Sequence, residues 1–107
     1  MQRFSPSQLQ HYLSQARDNS HVLLDVREKW EFDICRIKDS VNVPLSVLQH
    51  QYQTLDPTLE TIVICHHGIR SLRAALFLQH QGFESVINLD GGVDAWADNI
   101  DPMMDKY

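Results

Sequence analysis

The chain has 107 residues, about the size of one ordinary domain; 43% are apolar, 21% charged, and only four each are Gly and Pro, which excludes a disordered or collagen-like polymer. Nine Lys and Arg against fourteen Asp and Glu leave a formal charge of −5, so no surface built to hold polyanions, and no nucleic-acid partner, is expected. No apolar run approaches the ~20 residues of a bilayer crossing, Met1-Gln2-Arg3-Phe4 does not begin a signal peptide, and Cys35 and Cys65 are too few for a secreted disulfide framework. The expectation is a soluble, cytoplasmic protein with no membrane partner, one domain over residues 1–107, and two thiols each with its own purpose.

Ser5-Pro6 opens the first predicted helix: Ser5 is an N-cap, Pro6 takes the first helical position, and Gln8 completes a capping box. Leu9, Tyr12, Leu13 and Ala16 then share one face of a helix running to about Arg17. Val22-Leu23-Leu24-Asp25-Val26 is apolar without alternation, as in a strand buried on both faces of a parallel sheet, with Asp25 as the anomaly. A short helical piece from Glu28 to Phe32 leads to Ile37 and a brief strand at Val41-Asn42-Val43, stopped by Pro44. Ser46 to Tyr52 reads as a small helix, Asp56-Pro57 as a turn, and the β-branched Thr61-Ile62-Val63-Ile64 as a strand ending at Cys65. From Ser71 the pattern is helical, with Leu72, Ala75, Leu76 and Leu78 apolar and Gly82 at the stop. Val86-Ile87-Asn88-Leu89 is the last predicted strand, and Gly91-Gly92 opens a final helix carrying Val93, Ala95, Trp96 and Ala97. Such alternation predicts an α/β fold, a central, mostly parallel sheet of about four to five short strands with helices on both faces. Ligands of such sheets gather at the carboxyl ends of the strands, where Asp25 and Cys65 both fall.

The segment Cys65-His66-His67-Gly68-Ile69-Arg70-Ser71 brings a thiol off a buried strand into a tight loop that runs into a helix. Successive N–H groups of such a loop and the positive end of the following helix both favour an anion, so the loop is expected to stabilise a nucleophilic Cys65 thiolate, aided by Arg70 and by His66 or His67 when protonated. The charge pattern agrees. No Asp or Glu occurs from Thr61 through Phe83, a run in which average usage would place about three.

These residues, with Leu24-Asp25-Val26-Arg27 and Glu31-Phe32, Ile37 through Val43-Pro44, and Asn88-Leu89-Asp90-Gly91-Gly92 with Trp96, occur in the order seen in the rhodanese family of sulfurtransferases, which the sequence resembles over nearly its whole length. The resemblance implies a rhodanese-like fold in which Cys65 accepts a sulfane sulfur as a persulfide, inside a cradle made by the backbone amides of His66, His67, Gly68, Ile69 and Arg70. Ser71 belongs to the same substrate-binding stretch, and Asp25 and Arg27 support it. The implied reaction is double displacement, from an anionic donor such as thiosulfate to cyanide, a small thiol or a sulfur-accepting protein, with no cofactor. Gly68 suits the backbone conformation that closes the loop. The chain departs from the family at Cys35-Arg36, where Gly-His is common before the Ile; if that position demands positive φ, Cys35 carries strain. Cys35 is read as structural or incidental rather than as a second redox thiol.

Other readings fit less well. A phosphatase of related fold needs a loop one residue longer, whereas Arg70 follows Cys65 after only four residues and Ser71 stands where the phosphatase Arg belongs. Arsenate reduction ranks lower still, and a non-catalytic interaction module does not require the intact Cys65 loop. Metal binding by Cys65, His66 and His67 is not expected, because side chains of consecutive residues rarely converge on one ion. Asp25 is expected to hydrogen-bond the loop or a neighbouring Arg, Arg27 to pair with Glu31, Trp30 and Trp96 to pack, and His11, His21, His50 and His80 to lie scattered and exposed.

Overall fold

A computed structural model describes residues 1–107. Five strands form one sheet in the order β1-β5-β4-β2-β3: β1 (Gln2–Phe4), β2 (His21–Asp25), β3 (Val41–Asn42), β4 (Glu60–Ile64) and β5 (Ser85–Leu89). Every neighbouring pair is parallel. The helices are α1 (Pro6–Gln15), α2 (Lys29–Ile34), α3 (Leu45–Gln51), α4 (Ile69–His80) and α5 (Gly92–Asn99), with a 3-10 turn at Tyr52–Thr54.

The pleat of the central strands divides the core into two layers, because successive side chains of a strand point to opposite faces. Leu23, Ile62, Ile64, Ile87 and Leu89 pack with Leu9 of α1 and Val93 and Trp96 of α5. On the opposite face Leu24, Val63, Cys65 and Val86 pack with Leu48 of α3 and Ala74, Ala75 and Leu78 of α4. Burial on both faces is what the unbroken apolar runs of β2 and β4 require. No helix is long and apolar enough to cross a membrane.

The predicted α1 forms with its capping box complete, the Ser5 hydroxyl accepting from the Gln8 amide and the Gln8 side chain accepting from Ser5 N–H, although it ends at Gln15 rather than Arg17. Helix α4 begins at Ile69, two residues before the expected Ser71, because Gly68 takes a left-handed φ of +97° and serves as its N-cap. Strand β1 was not anticipated. Its three residues are polar enough to read as a tail, and only pairing with β5 makes them a strand. Cys35 is extended, at φ −159°, so the strain conditional on a positive φ does not arise; Asp39 is the nearby residue that takes the left-handed conformation, at φ +68°.

Candidate functional site

Strand β4 is the middle of the five, and Cys65 follows its last residue, so the thiol leaves the sheet centre at the carboxyl edge. Cys65 is 1% exposed. Its Sγ accepts from the Gly68 N–H at 3.0 Å and lies 3.4 Å from the Ser71 hydroxyl, to which the thiol donates. Ser71, itself fully buried, donates to Asn88 Oδ1, and the Asn88 amide donates to Gly68 O at 3.3 Å and Asp90 Oδ1 at 3.0 Å. Sulfur, hydroxyl and amide thus form one line from the loop into β5. Of the five loop amides named from the resemblance, the one in hydrogen-bond contact with the sulfur is Gly68.

The loop is held from beneath by α5. Val93 N–H donates to Cys65 O at 2.9 Å and Asp94 N–H to His66 O at 3.0 Å. Gly92 makes this possible, because a Cβ there would collide with the carbonyl oxygens of Cys65 and His66, and its φ is +59°. The Gly91-Gly92 pair therefore does more than start a helix: it lets two backbones touch.

Asp25 bonds a neighbouring Arg as expected, but Arg27 does not pair with the Glu31 carboxylate. Arg27, fully buried, pairs with Asp25 at 2.7 Å and meets Glu31 only through that residue's backbone oxygen, at 3.2 Å. Its remaining donors reach Cys35 O at 2.6 Å and the Tyr107 hydroxyl at 3.0 Å, so the guanidinium is satisfied on every side. Burial works against its charge, but the bonds to Asp25 and Tyr107 prevail and raise its pKa above the ordinary arginine value. The Glu31 carboxylate instead takes a two-pronged grip from Arg70, 2.7 Å on each oxygen. That bond, opposed by burial, holds the Glu31 carboxyl at about 2. The acid-free run around Cys65 therefore does not make an acid-free site, since Glu31 and Asp94 are carried in from α2 and α5.

His66 and His67 converge despite being consecutive: their rings lie 3.9 Å apart between centroids. His67 Nε2 is 3.9 Å from Asp94 Oδ2. Tyr107 stacks on the other face of His66 at 4.0 Å and donates its hydroxyl to Glu31 at 2.9 Å. Burial, together with the neighbouring His67, lowers the His66 pKa and so favours the neutral ring. Trp30, expected to pack, is 62% exposed, while Trp96 is buried as expected. Of the scattered histidines, His11, His50 and His80 are exposed, and His21 is half-buried against Tyr12. Asp94 and Tyr107, and the bond that brings Asn88 to the site, escaped the sequence reading because each lies in a different segment from Cys65; the Asn at the end of a buried strand was the available signal, a polar residue like Asp25 that must find a partner.

The family model for the rhodanese-like domain matches residues 7–99. The chain belongs to the rhodanese-like domain family. An "Adenylyltransferase and sulfurtransferase MOCS3-1" of Zea mays is 36% identical over 94 residues, covering 81% of this chain and 20% of the relative. An "Adenylyltransferase and sulfurtransferase UBA4" of Yarrowia lipolytica is 39% identical over 90 residues, again 81% of this chain and 22% of the relative. The rhodanese-like chain thus spans about a fifth of the length of these curated relatives, both named for sulfur transfer. Among solved structures, a rhodanese-related protein from Thermoplasma volcanium superposes with a TM-score of 0.83 at 28% identity, covering 94% of each chain.

Proposed function

We propose that this domain transfers sulfane sulfur through a persulfide on Cys65. The observation that carries the reading is the sulfur at the carboxyl end of the central strand, enclosed by its loop, accepting from Gly68 N–H and bonded to Ser71. In the first half-reaction the Cys65 thiolate attacks the outer sulfur of a donor such as thiosulfate; a sulfur–sulfur bond forms to Cys65, and the donor's own bond breaks with its electron pair leaving on sulfite. In the second, cyanide or a thiolate attacks the outer persulfide sulfur and Cys65 departs as thiolate, giving ping-pong kinetics. Gly68 N–H steadies the anionic sulfur in each half. Once the thiol has lost its proton, Ser71 turns its hydroxyl from Asn88 to Sγ and becomes a second donor. The side chains of Asp25 and Arg27 are hydrogen-bonded to each other and to Cys35 and Tyr107 rather than to Cys65 or its loop; they support the rim by fixing Cys35 O and Tyr107. His66, His67, Ile69 and Arg70 line the approach for the anionic donor, with Arg70 already bound to Glu31.

Two features support the choice among substrates. A cysteine at 1% exposure beneath a short loop admits the end of a slim donor more readily than a phosphoryl group with its three oxygens. Ile69 and Trp30 are 73% and 62% exposed and adjoin the two members of the Arg70–Glu31 pair, which supports a sulfur-accepting protein as acceptor beside the small molecules. The test is mass spectrometry of the protein after thiosulfate: one added sulfur on the Cys65 peptide, removed by cyanide with release of thiocyanate, and absent in Cys65→Ser. Thiocyanate formation that survives Cys65→Ser overturns the proposal, as does turnover of an aryl phosphate at a comparable rate.

A further inference from the structure

His66, His67 and Asp94 bring two imidazoles and a carboxylate together beside the loop, and the sulfur chemistry, in which the two histidines line the donor's approach, does not call on the convergence of the three. One donor atom from each lies within 4.8 Å of the other two. Ligands on a common zinc-class ion, at about 2.0–2.2 Å from it, stand closer together than this, and the His66 and His67 rings lie 3.9 Å apart at 32° to one another, so binding asks one ring to turn its in-plane lone pair toward the shared ion. The side chains differ in how they meet that demand. The main chains at His66 and Asp94 are tied by the Asp94 N–H to His66 O bond of 3.0 Å and the His66 ring is stacked on Tyr107 at 4.0 Å, whereas His67 is exposed and free to turn. A second observation points to a cation at the same place: the Lys106 ammonium already sits 3.3 Å from Asp94 Oδ1, shared with Asp98 at 2.6 Å.

We infer that His66, His67 and Asp94 form a binding site for a borderline divalent transition-metal ion, of which Zn2+ is the type. Two imidazoles with one carboxylate are the donor set such ions prefer, and the hard ions Mg2+ and Ca2+, which take oxygen ligands, are selected against. Each imidazole binds such an ion through a ring nitrogen, and with centroids 3.9 Å apart the two rings are near enough to share one. Lys106 acts as the competitor, so the site is tuned by a side chain that the incoming ion must displace from Asp94. Cys65 is no part of it, since its Sγ faces Gly68 and Ser71.

The experiment is a titration of the whole chain with Co2+, followed by its visible absorption, and competition by Zn2+. The expected result is one ion per chain, with ligand-field bands and no sulfur-to-cobalt charge-transfer band, displaced by Zn2+. His67→Ala and Asp94→Asn should each weaken binding at least tenfold, Lys106→Ala should tighten it several-fold, and Cys65→Ser should leave it unchanged. Circular dichroism identifies any variant that has failed to fold, and the exposed His67 and Lys106 keep the test open if Asp94→Asn does so. A thiolate charge-transfer band, binding lost in Cys65→Ser, or affinity indifferent to both His67→Ala and Lys106→Ala would overturn the inference.

Discussion

Gly92 and Gly82 both hold left-handed backbone, at φ +59° and +91°, yet they answer to different demands. Nothing lies within 4 Å of a Cβ placed on Gly82, so Gly82→Ala carries only the conformational penalty, about 1 kcal/mol. At Gly92 the same methyl meets the carbonyl oxygens of Cys65 and His66, atoms of a backbone that cannot rotate away. Gly92→Ala should therefore cost about 3 kcal/mol or more and also disturb the loop that encloses the sulfur. Urea unfolding of the two variants measures the contrast, and equal losses would contradict it. Ser71 and Asn88 show a related point: both are polar, both are buried, and each answers the other, so neither leaves an unpaired group in the core.

Among the elements, α2 and α4 are joined by the Glu31–Arg70 ion pair. The folded Glu31 carboxyl is held at about 2, against an ordinary 4.5 in the unfolded chain. A carboxyl depressed in this way stabilises the fold fully above its unfolded pKa, and the contribution is lost as pH falls from about 4.5 through about 2. Glu31→Gln should lower stability at pH 7 and flatten the acid limb of the stability profile across that window; thermal unfolding measured at several pH values checks this, and an unchanged acid limb would remove Glu31 from the account. The pair also explains why the charge pattern of one segment misled. Sequence distance separates Arg70 from every acid, but the sheet order brings α2 alongside the start of α4, and the absence of local acids left Arg70 available for a distant one.

For the molecule as a whole, the all-parallel sheet has β1 and β3 as its edges; β3 is joined to β2 by two residue pairs, and β1 to β5 by three residue pairs and the Arg3–Asp90 ion pair. Deleting residues 1–4 strips that cover and bares the Ile87-Asn88-Leu89 stretch of β5, so the shortened chain should self-associate, visible as a larger scattering mass at raised concentration. Scattering that stays the same as the full chain's would show that β1 does not shield β5. Much of this architecture was legible in the sequence, and the reason is periodicity: β2, β4 and β5 are apolar runs that only a two-sided sheet can bury, and α1 carries both its cap and its stripe. What was hidden depended on tertiary pairing. Strand β1 has no pattern of its own, Glu31 found Arg70 instead of Arg27, and Trp30 stayed outside the core because Glu31 and Phe32 are the α2 residues that turn inward. At the candidate site Cys65, Gly68 and Ser71 could be named because they share one loop, whereas Asn88, Asp94 and Tyr107 join it only once β5, α5 and the C-terminal residues have folded back over it.

The clasp between α5 and the loop has a consequence for how such a domain diversifies. It is made wholly of main chain, amide to carbonyl, so its strength is indifferent to which side chains residues 65, 66, 93 and 94 carry. Shape and chemistry are thereby uncoupled at this rim. The small backbone ring around the sulfur keeps its form while the outward positions 66, 67 and 69 remain open to substitution, and the same scaffold can be given a new acceptor or a new visitor by exchanging side chains alone.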